Sequence, residues 1–364
     1  MIKREKIIGI FGAMLVALGS LSADDIKPNG CKGPSLCTDL PLEESCGFYF
    51  NVGLIYEQMR ISNAIGGYER TQSPVGTSAS PDFLFNILNL NFNMEPGFKF
   101  GVGYEPGHDD WQVNASFEWL RSSASLNKEV LEPSYLYSQF TGVYRKYSAL
   151  TSTLDVDYFL LDVYLSRGSY ISQKYSLEPF AGFKASWIYY DTRESFTNSP
   201  DLITTSQQQL HVLDDDFWGI GPMIGLNGNY HLYAGWSIFA LSDFSILFGE
   251  SALNYYEGIV TTEPLPGNNV VETTSIVASP TMRGVVGIQY ERCVMCESQH
   301  LVLRAGFDAR VYFNQYPLAY MSQSYDPTSN TTNFNIGNFQ TMTSIINNNS
   351  FSMIGLLLDL GWSF

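Results

Sequence analysis

The sequence predicts an all-β protein, a transmembrane antiparallel up-and-down β-barrel of about ten strands, with twelve to sixteen as the alternative count. Three observations predict it. The chain closes on a strand whose apolar face (Ile354, Leu356, Leu358, Leu360, Trp362, Phe364) alternates with Met353, Gly355, Leu357, Asp359, Gly361 and Ser363, as expected when successive side chains stand on opposite faces. Period-two segments recur along the whole chain, joined by short and long connections in turn. Charged residues make up only 15% of the sequence, while Tyr and Phe number 23 and 24. A soluble domain carries about 25% charged residues, whereas a wall facing lipid needs few.

At the N-terminus, Lys3, Arg4 and Lys6 precede an apolar stretch, Ile7 to Leu18, and small residues at Ser20, Ser22 and Ala23. This is the pattern of a secretory signal peptide, residues 1–23, too short to span a bilayer as a helix. Residues 24–46 then form a cysteine-containing periplasmic segment, and residues 47–364 the barrel. The net charge is −16; losing three basic residues and Glu5 with the leader takes it to −18. Such acidity excludes a nucleic-acid partner, which requires a basic footprint.

The first strand begins near Phe48, with Phe50, Val52, Leu54 and Tyr56 on one face and Tyr49, Asn51, Gly53, Ile55 and Glu57 on the other. The next keeps one phase from Leu88 through Met94 to Tyr104. Trp111, Val113, Ala115, Phe117 and Trp119 then alternate with Gln112, Asn114, Ser116 and Glu118, apolar outward and polar inward. Paired segments follow: Leu154 to Ser166 with Tyr175 to Tyr190, Phe217 to Leu232 with Trp236 to Phe248, and Thr281 to Glu291 with Leu301 to Asn314. Asp155 and Asp157 share a phase with Phe159 and Leu161, which predicts a bulge or a register change there. Short periplasmic turns alternate with long extracellular loops near residues 62–85, 122–151, 191–215, 250–280 and 315–350. An even strand number puts both termini in the periplasm.

All six tryptophans fall on the lipid phase. Trp111, Trp236 and Trp362 lie by the short turns, and Trp119, Trp187 and Trp218 towards the long loops. Trp111 and Trp119 are roughly 26 Å apart along a strand, which suits two aromatic girdles bounding an apolar band. Phe364 reads as an assembly signal for the barrel assembly machinery.

Several segments carry a family resemblance: Gly97 to Tyr104 followed by His108 to Trp111, Glu178 to Trp187, Trp218 to Pro222 with Gly225 and Leu226, and Leu303 to Phe307. In order and spacing the chain resembles, from about residue 47 to its end, a family of pore-forming outer-membrane proteins of Legionella and chlamydia-like bacteria, related to their major outer membrane proteins. The resemblance implies a porin-like role and an outer-membrane address, and brings no catalytic motif.

The same phases point Lys99, Glu118, Glu178, Lys184, Arg283, Arg304, Asp308 and Arg310 into the lumen as candidate pore-lining residues. Two readings stand. Either the basic residues set an anion preference for small hydrophilic solutes, or Asp308 neutralises neighbouring arginines in a filled interior, as suits ten strands. Cys31, Cys37, Cys46, Cys293 and Cys296 all map to the oxidising periplasm, where disulfides are expected. Cys293-x-x-Cys296 lacks the histidines or the context of a zinc or redox site. The resemblance adds cross-linking to itself or other envelope proteins. An enzyme is the competing class, with His211 beside Asp214, Asp215 and Asp216 as its best acid–base candidate; His108 and His300 fall at short turns, where surface-active enzymes do not keep their sites. No nucleophile, phosphate or metal motif appears, so no cofactor is expected. Long Asn/Ser/Thr loops also suit an adhesin or structural surface protein.

Overall fold

The computed structural model describes residues 46–62, 64–72, 83–106, 111–132, 134–138, 147–172, 174–197, 208–260, 269–294, 299–323 and 341–363. Fourteen strands occur among them: β1 (Cys46–Ile61), β2 (Ile65–Gln72), β3 (Phe83–Asn89), β4 (Met94–Pro106), β5 (Trp111–Glu129), β6 (Ser134–Tyr137), β7 (Ala149–Arg167), β8 (Ser169–Ser172), β9 (Tyr175–Thr197), β10 (Gln208–Tyr233), β11 (Trp236–Val260), β12 (Asn269–Val294), β13 (Gln299–Gln323) and β14 (Thr341–Ser363). Ten of these close a barrel in the order β1-β4-β5-β7-β9-β10-β11-β12-β13-β14. The seam is β14 on β1, antiparallel, with Trp362 opposite Phe50 and Leu358 opposite Leu54. The expected count of ten, with neighbouring strands antiparallel, is therefore the observed one. β8 adds a short extra strand to β9, and β3-β2-β6 form a separate sheet.

Alternation sorts the residues as predicted. On β1, Phe48, Phe50, Val52, Leu54 and Tyr56 are exposed, while Ile55, Glu57 and Met59 are buried. An exposed apolar face on every barrel strand is what a hydrocarbon environment stabilises and water does not.

Three expectations need correction. The segment from Leu88 to Tyr104 is not one strand: β3 leaves the barrel, β4 begins at Met94, and Leu90 and Phe92 between them are buried in the interior cluster with Ile55 and Met59. The Phe92 carbonyl accepts from Gln58 Nε2 at 2.6 Å instead of a ladder N–H. A shared apolar phase cannot show that break. Second, no bulge occurs at Asp155 and Asp157, for β7 keeps unbroken register with both neighbours. The strand runs on past the aromatic belt, so its outer face turns polar; Arg121 stands 3.8 Å from Asp157 there. Third, much of the sequence assigned to long loops is strand. β9 to β14 are 23 to 26 residues long. Beyond the bilayer both faces meet water or polar groups, and the apolar alternation that reveals a strand disappears.

The hairpin joining β10 to β11 turns on Ala234 (φ 50) and Gly235 (φ 82), the doubly left-handed geometry that matches strand twist in a two-residue turn. Gly235 also accepts a backbone hydrogen bond from Glu291 at 2.8 Å. Gly235→Val forces a branched side chain into that conformation and is expected to cost about 1–3 kcal/mol, read as a lower urea midpoint; an unchanged midpoint would show that the turn is not held as described.

Candidate functional site

Among the described residues the lumen gathers buried charge, stacked in layers along the barrel axis. At mid-height, Glu57 (β1), Glu118 (β5), Arg283 (β12), and Asp308 and Arg310 (β13) meet. Arg310 reaches Glu57 at 3.1 Å and Asp308 at 2.7 Å, and also bonds Glu118. Arg283 reaches Glu118 at 2.9 Å and Asp308 at 2.6 Å. Lys99 lies 3.6 Å from Glu118. β5 and β12 are diametrically opposite in a ten-strand ring, so the Arg283–Glu118 bridge crosses the lumen. Three carboxylates face three cations, and this balance is what makes so many buried charges tolerable.

A second pair, Lys184 Nζ to Asp243 Oδ1 at 2.5 Å, joins β9 to β11, and Asp162 is the direct cross-strand partner of Lys184. On the long-loop side of the network lies an apolar layer including Leu154, Tyr158, Ile188, Phe217, Tyr312 and Phe351, all buried. Tyr158 and Tyr312 share a 2.5 Å hydroxyl contact, and Tyr158 OH accepts from Arg310 Nη1 at 3.3 Å. At the short-turn end a cavity of 360 Å³ opens, lined by Tyr49, Asn51, Asn114, Glu178, Arg304 and Asp359 among others.

Of the residues expected inside, Lys99, Glu118, Arg283, Asp308 and Arg310 converge in the network, Lys184 forms the second pair, and Glu178 and Arg304 line the cavity. Sequence reasoning missed Glu57, Asp162, Asp243 and Asp359. Glu57 and Asp359 already stood in the inward phase of their strands, so the signal was present; neither was set against a charge on another strand.

The tryptophans lie on outward positions in two bands. Phe98, Trp119, Phe159, Trp187 and Trp218 are successive cross-strand partners across five strands. At the other end Arg167 covers Trp111 at 5.6 Å, Trp236 packs on Tyr290 at 5.0 Å, and Trp362 is exposed beside the seam. His211 is buried, with Nδ1 2.7 Å from Tyr255 OH. Of its neighbouring aspartates only Asp215 shares the inward face; it too is buried and accepts from Ser251 at 2.6 Å. The expected signal peptide, Cys31, Cys37, Cys296, His108 and Phe364 lie outside the described residues, as do the side chains of Cys46 and Cys293.

The family described as Legionella pneumophila major outer membrane protein precursor matches residues 41–364. The chain belongs to this family. It is an outer-membrane protein that crosses the membrane repeatedly with strands. No curated protein matches the chain. Among solved structures it is similar to the outer membrane protease OmpT of Escherichia coli, at 12% identity over 90% of this chain and 99% of that one, with a TM-score of 0.44. It is also similar to the toluene transporter TodX of Pseudomonas putida, at 12% identity over 87% and 89% of the two chains (TM-score 0.26). A third is the attachment invasion locus protein Ail of Yersinia pestis, at 13% identity over 64% and 97% (TM-score 0.19). Likenesses at these scores carry no conclusion about activity.

Proposed function

We propose that the barrel passes small hydrophilic solutes across the outer membrane through a lumen that its own charge network holds closed. The observation carrying this reading is the bridge of Arg283 and Arg310 to Glu118 across the lumen. Ionisable groups inside a membrane protein are costly to bury and mark pathways for ions and solutes; a purely structural core of this bore could be filled by apolar side chains at less cost. Membership of the family supports the same reading. Burial of His211 and Asp215 away from any surface supports a non-enzymatic role. Its partners would be outer-membrane lipids, the assembly machinery and small solutes.

Planar-bilayer recording tests this. Wild-type protein gives brief conductance steps, and Glu118→Gln, which weakens the cross-lumen anchor, raises open probability by about tenfold, equivalent to ~1.4 kcal/mol. Silence of both proteins, with insertion verified, would favour the second reading, a closed structural or adhesive barrel, to which the apolar layer lends weight.

The five cysteines and the oxidising compartment support a further role as a disulfide-linked envelope component. Non-reducing gels of isolated outer membranes are expected to show oligomers that reductant converts to monomer; a monomer band in both lanes would exclude it.

A further inference from the structure

Arg304 on β13 and Asp359 on β14 are direct cross-strand partners, and both line the short-turn cavity. Opposite charges so placed ordinarily pair, yet among the described residues no ion pair joins them. Each is held aside by a neutral neighbour. Arg304 Nε donates to Gln289 Oε1 at 2.5 Å, with its guanidinium 5.8 Å above the Phe239 ring. Asp359 Oδ2 accepts from Asn51 Nδ2 at 3.3 Å. Asp359 is only 6% exposed, and its Oδ1 has no hydrogen-bond partner. A buried carboxylate oxygen without a partner is expensive, and here it stands beside a cation that is in reach by register but not engaged.

The surrounding wall sorts by chemistry. Inward glycines at 53, 101 and 361 make room, while Phe180, Leu241 and Val302 supply an apolar side. A volume of 360 Å³ is at the small end for ligand sites, which suits one small molecule.

We infer that this cavity binds a zwitterionic solute, an α-amino acid with an apolar side chain, its carboxylate on Arg304 and its ammonium on Asp359. A guanidinium fork matches a carboxylate, and the partnerless Asp359 oxygen can accept from an ammonium. A zwitterion answers Arg304 and Asp359 together and leaves unchanged the net charge of a lining that also carries Lys99, Glu105 and Glu178. The inference does not depend on conduction: binding is read in detergent solution, whereas passage is read in bilayers, so either reading can fail alone.

The test is isothermal titration calorimetry on the full mature chain, refolded in micelles, with heat-modifiable gel mobility verifying the barrel. L-leucine is expected to bind at least about tenfold more tightly than leucinamide, 4-methylpentanoate or glucose, the lower end of what a hydrogen bond to a charged group supplies. Arg304→Gln and Asp359→Asn each remove about tenfold or more, and Arg304→Lys loses less because charge persists without the fork. Equal binding of glucose and leucine, indifference to Arg304→Gln and Asp359→Asn in folded protein, or no heat from folded wild type would overturn it.

Discussion

Replacing Arg310 by Met lowers the unfolding free energy of the barrel by about 3–5 kcal/mol. Arg310 is the only cation within ion-pair distance of Glu57 among the described residues, and it also holds Asp308 and Glu118. Glu118 and Asp308 retain Arg283; Glu57 is left as an uncompensated buried charge. Most of the loss therefore comes from Glu57, and Glu57→Met in the same chain should recover much of it, since an apolar pair of similar volume is often as stable as the ion pair it replaces. Urea unfolding in lipid vesicles, followed by tryptophan fluorescence, reads both. A single variant within 1 kcal/mol of wild type, by about the scatter of such measurements, would mean that Glu57 and Arg310 are solvated and the lumen is wet.

Leu358→Arg is expected to destabilise by about 2–4 kcal/mol, the cost of a cation facing lipid near the bilayer midplane. Leu358 is exposed on β14, opposite Leu54 across the seam and Ala305 on its other side. In a soluble sandwich an exposed Leu→Arg change would move stability by about 0.5 kcal/mol or less, so the size of the effect separates the two environments. The contrasting substitution Arg60→Leu, exposed on β1 beyond the aromatic belt where Arg60 bonds Gln58, should be nearly silent. Equal effects at both positions would count against the lipid-facing band.

Strands in the bilayer were legible because lipid on one side and lumen on the other impose opposite chemistry on alternate residues; Trp111 to Trp119 against Gln112 to Glu118 is the plainest case. Where both sides are polar that contrast vanishes, so the upper halves of β9 to β14 read as loops. Leu88 to Met94 misled for the opposite reason: apolar residues kept their phase while the backbone changed partners and turned Leu90 and Phe92 inward.

The sequence by itself determined the barrel class, the strand number, and the seam between the Phe48 strand and the C-terminus. All of these follow from period-two chemistry, which is local. Only the tertiary structure decided that Glu118 meets Arg283 and Arg310 across the lumen, and that Arg304 and Asp359 stand side by side without pairing. Closure fixes those outcomes: which inward side chains meet depends on shear, strand order and bore, quantities set by the whole ring of hydrogen bonds and by no single strand.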